Sequence, residues 1–188
     1  GNSGPGSPAW LYVNKRVQAE LQVPIQGWFS QGDQFGMGPV FERADGIRGF
    51  QIASPSLIGL RCVKTAFSMI EEAGIGAISQ KAAIGTEMMI ELYDAWLADL
   101  GFTLLTSRTA SERGGHISLG HPDAARICVA LRQFANVIPD YRTPSSIRLA
   151  IAPLPTSYVE IWDGFQRMRD LVATRQYETI KESDSRVT

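Results

Sequence analysis

The chain has 188 residues, of which 44% are hydrophobic and 20% are charged, with a formal net charge of -1. This balance gives no electrostatic basis for binding nucleic acid or an anionic membrane, and no apolar run reaches the roughly 20 residues that cross a bilayer. Cys62 and Cys128 lie far apart without metal or redox spacing, which predicts buried thiols and a reduced, cytoplasmic compartment. The glycine-rich start without methionine or secretory signal predicts a piece of a longer protein.

The first third of the chain is predicted to be mostly irregular. Residues 10–13 form a short aromatic and β-branched run, which predicts a buried strand. A glycine-rich stretch from about 24 to 54 predicts a long loop, and loops of that length are usually functional. Within it Trp28 and Phe29 are adjacent, and such a pair needs a surface on which to pack.

The rest of the chain alternates helices and strands. Apolar spacing predicts one helix from Ser54 and Pro55 to Gly74, and another from Ser79 to Gly101. Strands are predicted at 102–106, 116–119, 136–139 and 146–152, and helices at 123–134 and 158–173, before a polar, frayed end at 178–188. The predicted fold class is α+β, with a small sheet covered on one side by helices.

Few residues suggest chemistry. Strand alternation places Ile147, Leu149 and Ile151 on one face of the last strand, and Arg148 on the other face among alanines. A guanidinium with open space above it suits a planar carboxylate, but the same pattern also fits an arginine that faces solvent or pairs with an acid. The sequence contains no nucleophile elbow, zinc-protease motif or phosphate loop, and we expect no metal site.

Short motifs, in the same order along nearly the whole chain, resemble those of kynureninases. The GWF at 27–29 resembles a G-W-[FW] loop, and the RGGHISL at 113–119 resembles R-G-S-x-V-S-F. The other segments are NSGPGSPA at 2–9, GIRGF at 46–50, ASP at 53–55, PDYRTP at 139–144, IR at 147–148, APL at 152–154 and WD at 162–163.

The resemblance implies a fold-type I pyridoxal-phosphate enzyme that acts as a homodimer with shared active sites. It further implies hydrolysis of the Cβ–Cγ bond of L-kynurenine or 3-hydroxykynurenine to anthranilate, or its hydroxy form, and alanine. Trp28 and Ser54 would reach the cofactor phosphate across the dimer, and Arg148 would bind the substrate α-carboxylate. Residues 1–54 would be a remnant of the large domain, residues 55–175 the C-terminal small domain, and residues 176–188 a polar tail.

Departures from the family pattern leave the substrate open. Ser30 and Gln31 replace a glycine and a histidine, Pro155 replaces an aromatic residue, and Ala53 and Ser54 replace residues that read the substrate ring. The resemblance places the cofactor-binding lysine upstream of residue 1. We therefore expect no catalytic residue in this chain and no activity from it alone.

Three hypotheses remain for the function. The first is the kynureninase-type hydrolysis that the resemblance implies. The second is another fold-type I activity, such as that of an aminotransferase or a cysteine desulfurase-like lyase, which would also use an arginine for a carboxylate. The third is a non-catalytic domain or proteolytic fragment. The pathway, whether tryptophan catabolism, NAD biosynthesis or a secondary-metabolite route, stays open.

Overall fold

The structure, a computed structural model, describes residue 4 and residues 6–181. The start of the NSGPGSPA motif and most of the predicted polar end lie outside the described residues. The chain divides into two compact units, with the boundary between Glu72 and Ala73. That boundary falls 18 residues beyond the predicted one between 54 and 55, because the first long helix belongs to the first unit; the assignment of these parts to a large and a small domain stays a prediction.

The first unit is mostly irregular, as the glycine-rich sequence predicts. It contains three short 3-10 turns, Lys15–Val17, Trp28–Ser30 and Gly46–Phe50, followed by helix α1, Leu57–Ala73. The predicted buried strand at 10–13 is wrong: these residues form no strand, and Trp10, Leu11 and Tyr12 are 62%, 63% and 76% exposed. The ring of Trp10 makes an edge-to-face contact with Phe67, with 5.6 Å between ring centroids. An apolar run becomes a strand only where a neighbouring strand can pair with it.

The helix boundaries differ slightly from those predicted. Helix α1 begins two residues after Pro55, where the hydroxyl of Ser56 accepts a hydrogen bond from the Gly59 amide at 3.1 Å. Helix α2, Ile75–Trp96, begins four residues before the predicted cap at Ser79, since Gly74 alone separates it from α1. A 3-10 turn at Ala98–Leu100 and Gly101, with φ of +86°, end this region as predicted.

The second unit contains a four-stranded antiparallel sheet. Its strands are β1, Thr103–Leu104, β2, His116–Gly120, β3, Asp140–Arg142, and β4, Ser146–Ala150, in the order β1-β2-β4-β3. The predicted strand at 136–139 is wrong, and β3 begins at Asp140 instead. Asn136 has a φ of +51°, and the amide of Val137 bonds back to Leu131, so the chain is still leaving the preceding helix there.

Helices α2 and α3, Ala124–Phe134, pack on one face of this sheet, and α4, Tyr158–Ala173, packs against α2 and α3 and spans the predicted residues. Ile147 and Leu149 of β4, and Ile151 directly after it, are core side chains with exposed fractions of 0%, 9% and 5%. The predicted alternation along this strand is therefore confirmed. The buried core of the unit includes Ile90, Leu97, Ile117, Leu119, Leu131 and Met168.

The predicted polar tail begins too early. Residues Gln176–Thr179 form a 3-10 turn, and Tyr177 and Ile180 are buried in the core of the second unit. Arg126 of α3 holds this segment by donating to the carbonyls of Glu178 at 2.6 Å and Ile180 at 3.0 Å. Within the described part of the chain, no helix is long and apolar enough to cross a membrane.

Candidate functional site

Arg148 lies in the middle of β4, on the sheet face opposite the helices. The antiparallel register places Ser118 of β2 opposite it on one side and Asp140 of β3 on the other. Ala150, the next residue on this face of β4, is exposed. The guanidinium therefore has small neighbours toward β2 and a charged neighbour toward β3.

Two arginines share one carboxylate oxygen on this face. Arg148 donates through Nη2 to Oδ2 of Asp140, and Arg142 donates to the same oxygen through Nε at 3.0 Å and Nη2 at 2.7 Å. The alternative that Arg148 pairs with an acid is thus realised. Nε and Nη1 of Arg148 make no hydrogen bond to any described residue, and its side chain is 36% exposed. These donors are available to a second anionic group.

The carboxyl group of Asp140 is held in its ionised form. Partial desolvation raises its pKa, but the hydrogen bonds and charges of Arg142 and Arg148 outweigh that effect, and the pKa lies below its ordinary value. The cluster of Asp140, Arg142 and Arg148 therefore carries one negative and two positive charges at neutral pH.

Trp28 opens the short turn in the long loop of the first unit. Its indole N–H donates to the carbonyl of Gln34 at 2.7 Å, and its ring, about half exposed, makes edge-to-face contacts with Phe29 and Phe35. The prediction that this aromatic pair needs a packing surface is met within the loop itself. The turn borders an open pocket of about 310 Å³, to which Gln31 and Met37 also contribute.

A close backbone contact explains why the residue before this tryptophan is a glycine. A Cβ at Gly27 would lie 2.0 Å from the carbonyl oxygen of Ile52. Phe29 donates its amide to the same oxygen at 3.4 Å. The turn is thus in backbone contact with a segment that reaches Ser54 two residues later, so both predicted phosphate-contacting residues lie in the first unit, while Arg148 lies in the second.

The hydroxyl of Ser54 is on an exposed stretch and makes no hydrogen bond within the described part of the chain. Ser30, which replaces the family's glycine, stabilises the turn, a role that was not predicted from the sequence. Its buried hydroxyl accepts from the amide of Gly27 at 3.0 Å and donates to the carbonyl of Gly27 at 2.8 Å. A serine three residues after the start of a turn is the signal that would have found it.

Asp140 and Arg142 were also missed as site residues. Their i, i+2 spacing predicts a shared strand face, but only the register of β3 against β4 shows that they meet Arg148. Arg113, which opens the RGGHISL motif, has a side chain that is only 1% exposed and pairs with Glu87. It also donates to the hydroxyl of Thr86 at 3.1 Å, which ties the β1–β2 connection to α2.

The two histidines of the chain differ in exposure. His116 is exposed on β2, while His121 is buried. Among the described residues, no group of three or more histidine, cysteine, aspartate or glutamate side chains could hold a metal ion.

Comparison with solved structures concerns the fold. The apo cysteine desulfurase of Thermococcus onnurineus NA1 superposes with a TM-score of 0.70 at 15% identity, covering 87% of this chain and 42% of that one. A cystine C–S lyase in complex with its product cysteine persulfide gives 0.69 at 18% identity, covering 85% of this chain and 41% of the lyase. A variant of that lyase carries glycine covalently linked to its pyridoxal-phosphate cofactor. The predicted fold, with the small antiparallel sheet found in part of a fold-type I pyridoxal-phosphate enzyme, is confirmed.

Comparison of sequences is more specific. The kynureninase of Bacillus anthracis is 37% identical over 180 residues, which are 94% of this chain and 41% of that protein. The kynureninase of Burkholderia mallei (strain SAVP1) is 31% identical over 176 residues, 94% of this chain and 42% of that protein. The chain thus spans about two-fifths of the length of these relatives. Residues 78–168 match the family model described as the kynureninase C-terminal domain. The resemblance read from the motifs is confirmed, and this chain is related to the C-terminal portion of the kynureninases.

Proposed function

We propose that the whole protein containing this chain is a pyridoxal-phosphate-dependent hydrolase of the kynureninase type. It would convert L-kynurenine or 3-hydroxykynurenine to anthranilate, or its hydroxy form, and alanine. The observation that carries the proposal is the identity of 31–37% with kynureninases over 94% of the chain. Because the chain spans about 41% of the relatives' length, the activity is proposed for the whole protein and not for this chain alone.

Arg148 would bind the substrate α-carboxylate. Nη2 of Arg148 donates to Asp140, and each edge of the guanidinium combines Nη2 with either Nε or Nη1. One edge therefore keeps two free N–H groups, which can bind a planar carboxylate through two parallel hydrogen bonds. Held at that end, the substrate keeps its Cβ–Cγ bond in a fixed orientation for cleavage. Hydrolysis then adds the oxygen of water to the acyl carbon and a proton to Cβ, which yields the two products.

The residues of the first unit fit a phosphate group. The hydroxyl of Ser54 is exposed and unbonded within the described part of the chain, and the indole N–H of Trp28 is a neutral donor that a phosphate can recruit from Gln34. We propose that both contact the phosphate of the cofactor. When bound, pyridoxal phosphate supplies an electron sink next to the α-carbon of the substrate.

We also propose that the protein is a homodimer in which Trp28 and Ser54 of one subunit serve the active site of the other. The exposed apolar side chains of Trp10, Leu11 and Tyr12 support a surface that a further part of the protein covers. A cytoplasmic location is proposed as well, supported by Cys62 and Cys128, which are both unpaired.

The activity is tested on the whole protein supplied with pyridoxal phosphate. With L-kynurenine we expect fluorescent anthranilate and alanine in equal amounts. Arg148→Lys should raise KM by roughly 10- to 100-fold, because loss of a bidentate charged pair costs about 1.5–3 kcal/mol. Arg175→Lys, at an exposed position paired with Glu178, is the matched control and should leave KM unchanged.

Absence of anthranilate would refute the hydrolase. Release of sulfide or alanine from L-cysteine in the same protein would instead favour the desulfurase-like alternative. A whole protein that folds and acts on neither compound would support the non-catalytic alternative.

Sharing of the active site is tested by mixing subunits. Trp28→Ala and Arg148→Ala proteins, each expected to be nearly inactive, are unfolded together and refolded. If Trp28 acts across the dimer, each mixed dimer contains one intact site, and about a quarter of the wild-type activity should return. If both residues serve the same subunit's site, mixing restores nothing.

A further inference from the structure

The cluster of Asp140, Arg142 and Arg148 on the outer sheet face has a fixed geometry. Asp140 and Arg148 are directly opposite in the antiparallel register of β3 and β4, and Arg142 follows Asp140 on the same face. Residues opposite each other in such a pair have Cβ atoms about 4.5–5.5 Å apart, within reach of a direct ion pair. The three side chains are therefore brought together by the hairpin itself.

The hydrogen bonds within this cluster leave one edge of Arg148 unused. Asp140 engages Nη2 of Arg148 through Oδ2, the oxygen that also accepts from Arg142 at 2.7 and 3.0 Å. Nε and Nη1 of Arg148 have no partner among the described residues. Each edge of the guanidinium combines Nη2 with one of them, so the bond from Nη2 to Asp140 leaves one edge with two free N–H groups. Ser118, opposite Arg148 on β2, and Ala150, the next residue on this face of β4, both have short side chains, which favours access of a ligand to this face.

The charges of the cluster do not cancel. One ionised carboxylate faces two guanidinium groups, so the cluster has a net charge of +1. If Asp140 and Arg148 formed an isolated pair, the aspartate would neutralise the arginine and oppose a second carboxylate. Arg142 supplies the charge that prevents this.

We propose, on the basis of the function proposed above, that Asp140 and Arg142 are positioning residues for the substrate-binding Arg148. Asp140 fixes the guanidinium through Nη2. Arg142 neutralises Asp140, so that Arg148 offers its free edge and its full charge to the α-carboxylate of the amino-acid substrate.

Two substitutions at position 142 separate the charge of Arg142 from the geometry of its guanidinium. In the whole protein, Arg142→Gln leaves Asp140 uncompensated, and KM for L-kynurenine should rise about tenfold with kcat nearly unchanged, because the lost interaction is equal in the ground and transition states. Arg142→Lys keeps the charge without the planar fork, and its KM should stay within about threefold of wild type. Equal KM values in the two variants would overturn the proposal.

A double variant separates positioning from simple stabilisation of the hairpin. Asp140→Asn combined with Arg142→Gln removes both charges, keeps a carbonyl acceptor for Nη2 and restores the net charge of +1. Its KM should return to within about threefold of wild type. If the cluster merely stabilised the hairpin, the double variant, having lost both ion pairs, would bind substrate no better than Arg142→Gln.

An inhibitor without the carboxylate supplies the control for folding. Kynuramine is kynurenine without that group, and its inhibition constant should be the same in wild type and all three variants. A change in that constant parallel to the change in KM would show a general disturbance of the site and overturn the proposal.

An NMR titration tests the positioning roles of Asp140 and Arg142 separately from the hydrolase activity. The side-chain Nε–H signal of Arg148 is followed by NMR while L-alanine, or ethylamine as its carboxylate-free counterpart, is added. A shift with L-alanine only, smaller in Arg142→Gln and recovered in the double variant, supports the inference even if the protein releases no anthranilate. An equal shift in Arg142→Gln and wild type overturns it even in an active kynureninase.

Discussion

Among single residues, Gly27 has the strictest steric requirement in the predicted cofactor loop. Its α-carbon faces the backbone of Ile52 so closely that a Cβ would lie 2.0 Å from the carbonyl oxygen. The contact involves main-chain atoms on both sides, so a change of rotamer cannot relieve it. The orientation of Trp28, the next residue, depends on this contact.

Gly27→Ala should therefore displace the turn and destabilise the protein by about 1–3 kcal/mol, the usual cost of forcing extra atoms into a packed contact. Denaturant unfolding measures the loss, and the fluorescence of Trp28, in a protein whose other tryptophans are replaced by phenylalanine, reports the displacement. Gly38→Ala is the control, since a Cβ there meets nothing within 4 Å. Equal behaviour of the two variants would contradict the steric argument.

The residue-scale features differed in how far the sequence could predict them. The face of Arg148 follows from alternation along one strand, and the structure agrees. The contact between Asp140 and Arg148 depends on the register of β3 against β4. The sequence pattern does not give that register, because it predicts the strand at 136–139, where Asn136 has a positive φ and the strand has not yet begun. The hydrogen bonds of Ser30 to Gly27 depend on turn geometry, so the departure from the family pattern is understood only in the structure.

At the scale of elements, the segment after α4 shows how a polar sequence can be ordered. Of its described residues, 174–181, only Tyr177 and Ile180 are buried, but Arg126 satisfies two of the segment's carbonyls. Hydrophobic periodicity does not reveal such an arrangement, because the stabilising partner lies more than 50 residues away in the sequence.

Arg126→Ala should loosen this segment. Two carbonyl groups lose a charged donor, and we expect a loss of about 1–3 kcal/mol in the free energy of unfolding, with faster hydrogen exchange at residues 176–181. The control is Arg108→Ala, which removes an exposed, solvent-screened pair with Asp94 and should change the free energy of unfolding much less. Unchanged exchange in the Arg126 variant would contradict the anchoring role.

The stability of the region around the same segment depends on pH through His121. Its ring lies 4.7 Å from that of Phe102 and 6.0 Å from that of Tyr177, and its Nδ1 accepts from the amide of Asp123 at 3.0 Å. Burial lowers the pKa of His121, against the opposing effects of the Asp123 charge and a hydrogen bond with the backbone of Leu100. The folded state therefore favours the neutral ring.

Because the folded pKa is below the unfolded value of 6.5, the neutral histidine's contribution is fully present above that pH. It is lost as pH falls from 6.5 through the folded pKa. Melting temperatures measured between pH 7.5 and 5 should show this decline, and His121→Gln should flatten it. His116→Gln, which changes the exposed histidine, should retain the decline; a profile that is equally steep in the His121 variant would contradict the assignment.

At the scale of the whole molecule, the two units differ in how much of their architecture the sequence predicts. The second unit has closely spaced amphipathic helices and alternating strands, and its α+β class and the span of α4 are confirmed. The first unit lacks such periodicity, and the apolar run at 10–13 indicated burial without indicating a partner. Hydrophobicity predicts that a segment will be covered but not by what.

The two thiols provide a probe of the second unit. The prediction of buried thiols is wrong for Cys62, which is exposed on α1, and is confirmed for Cys128 in α3. Burial raises the pKa of the Cys128 thiol to about 12. In the native chain at pH 8, a thiol reagent should label Cys62 rapidly and Cys128 only as the unit opens, so Cys62→Ser should abolish rapid labelling. Rapid labelling of Cys128 without denaturant would contradict the described packing of α3.

The hairpin of β3 and β4 has a consequence for how a carboxylate-binding function can arise and move between proteins. Asp140, Arg142 and Arg148 all lie within nine consecutive residues and are aligned by a single strand pair. Contacts so close in sequence close only a short loop of chain and cost little entropy to form. The anion-binding part of the site is therefore contained in one short segment. Transferred to the exposed edge of another antiparallel sheet, these nine residues would bring Arg148 together with Asp140, which positions it, and with Arg142, which balances the charge of Asp140.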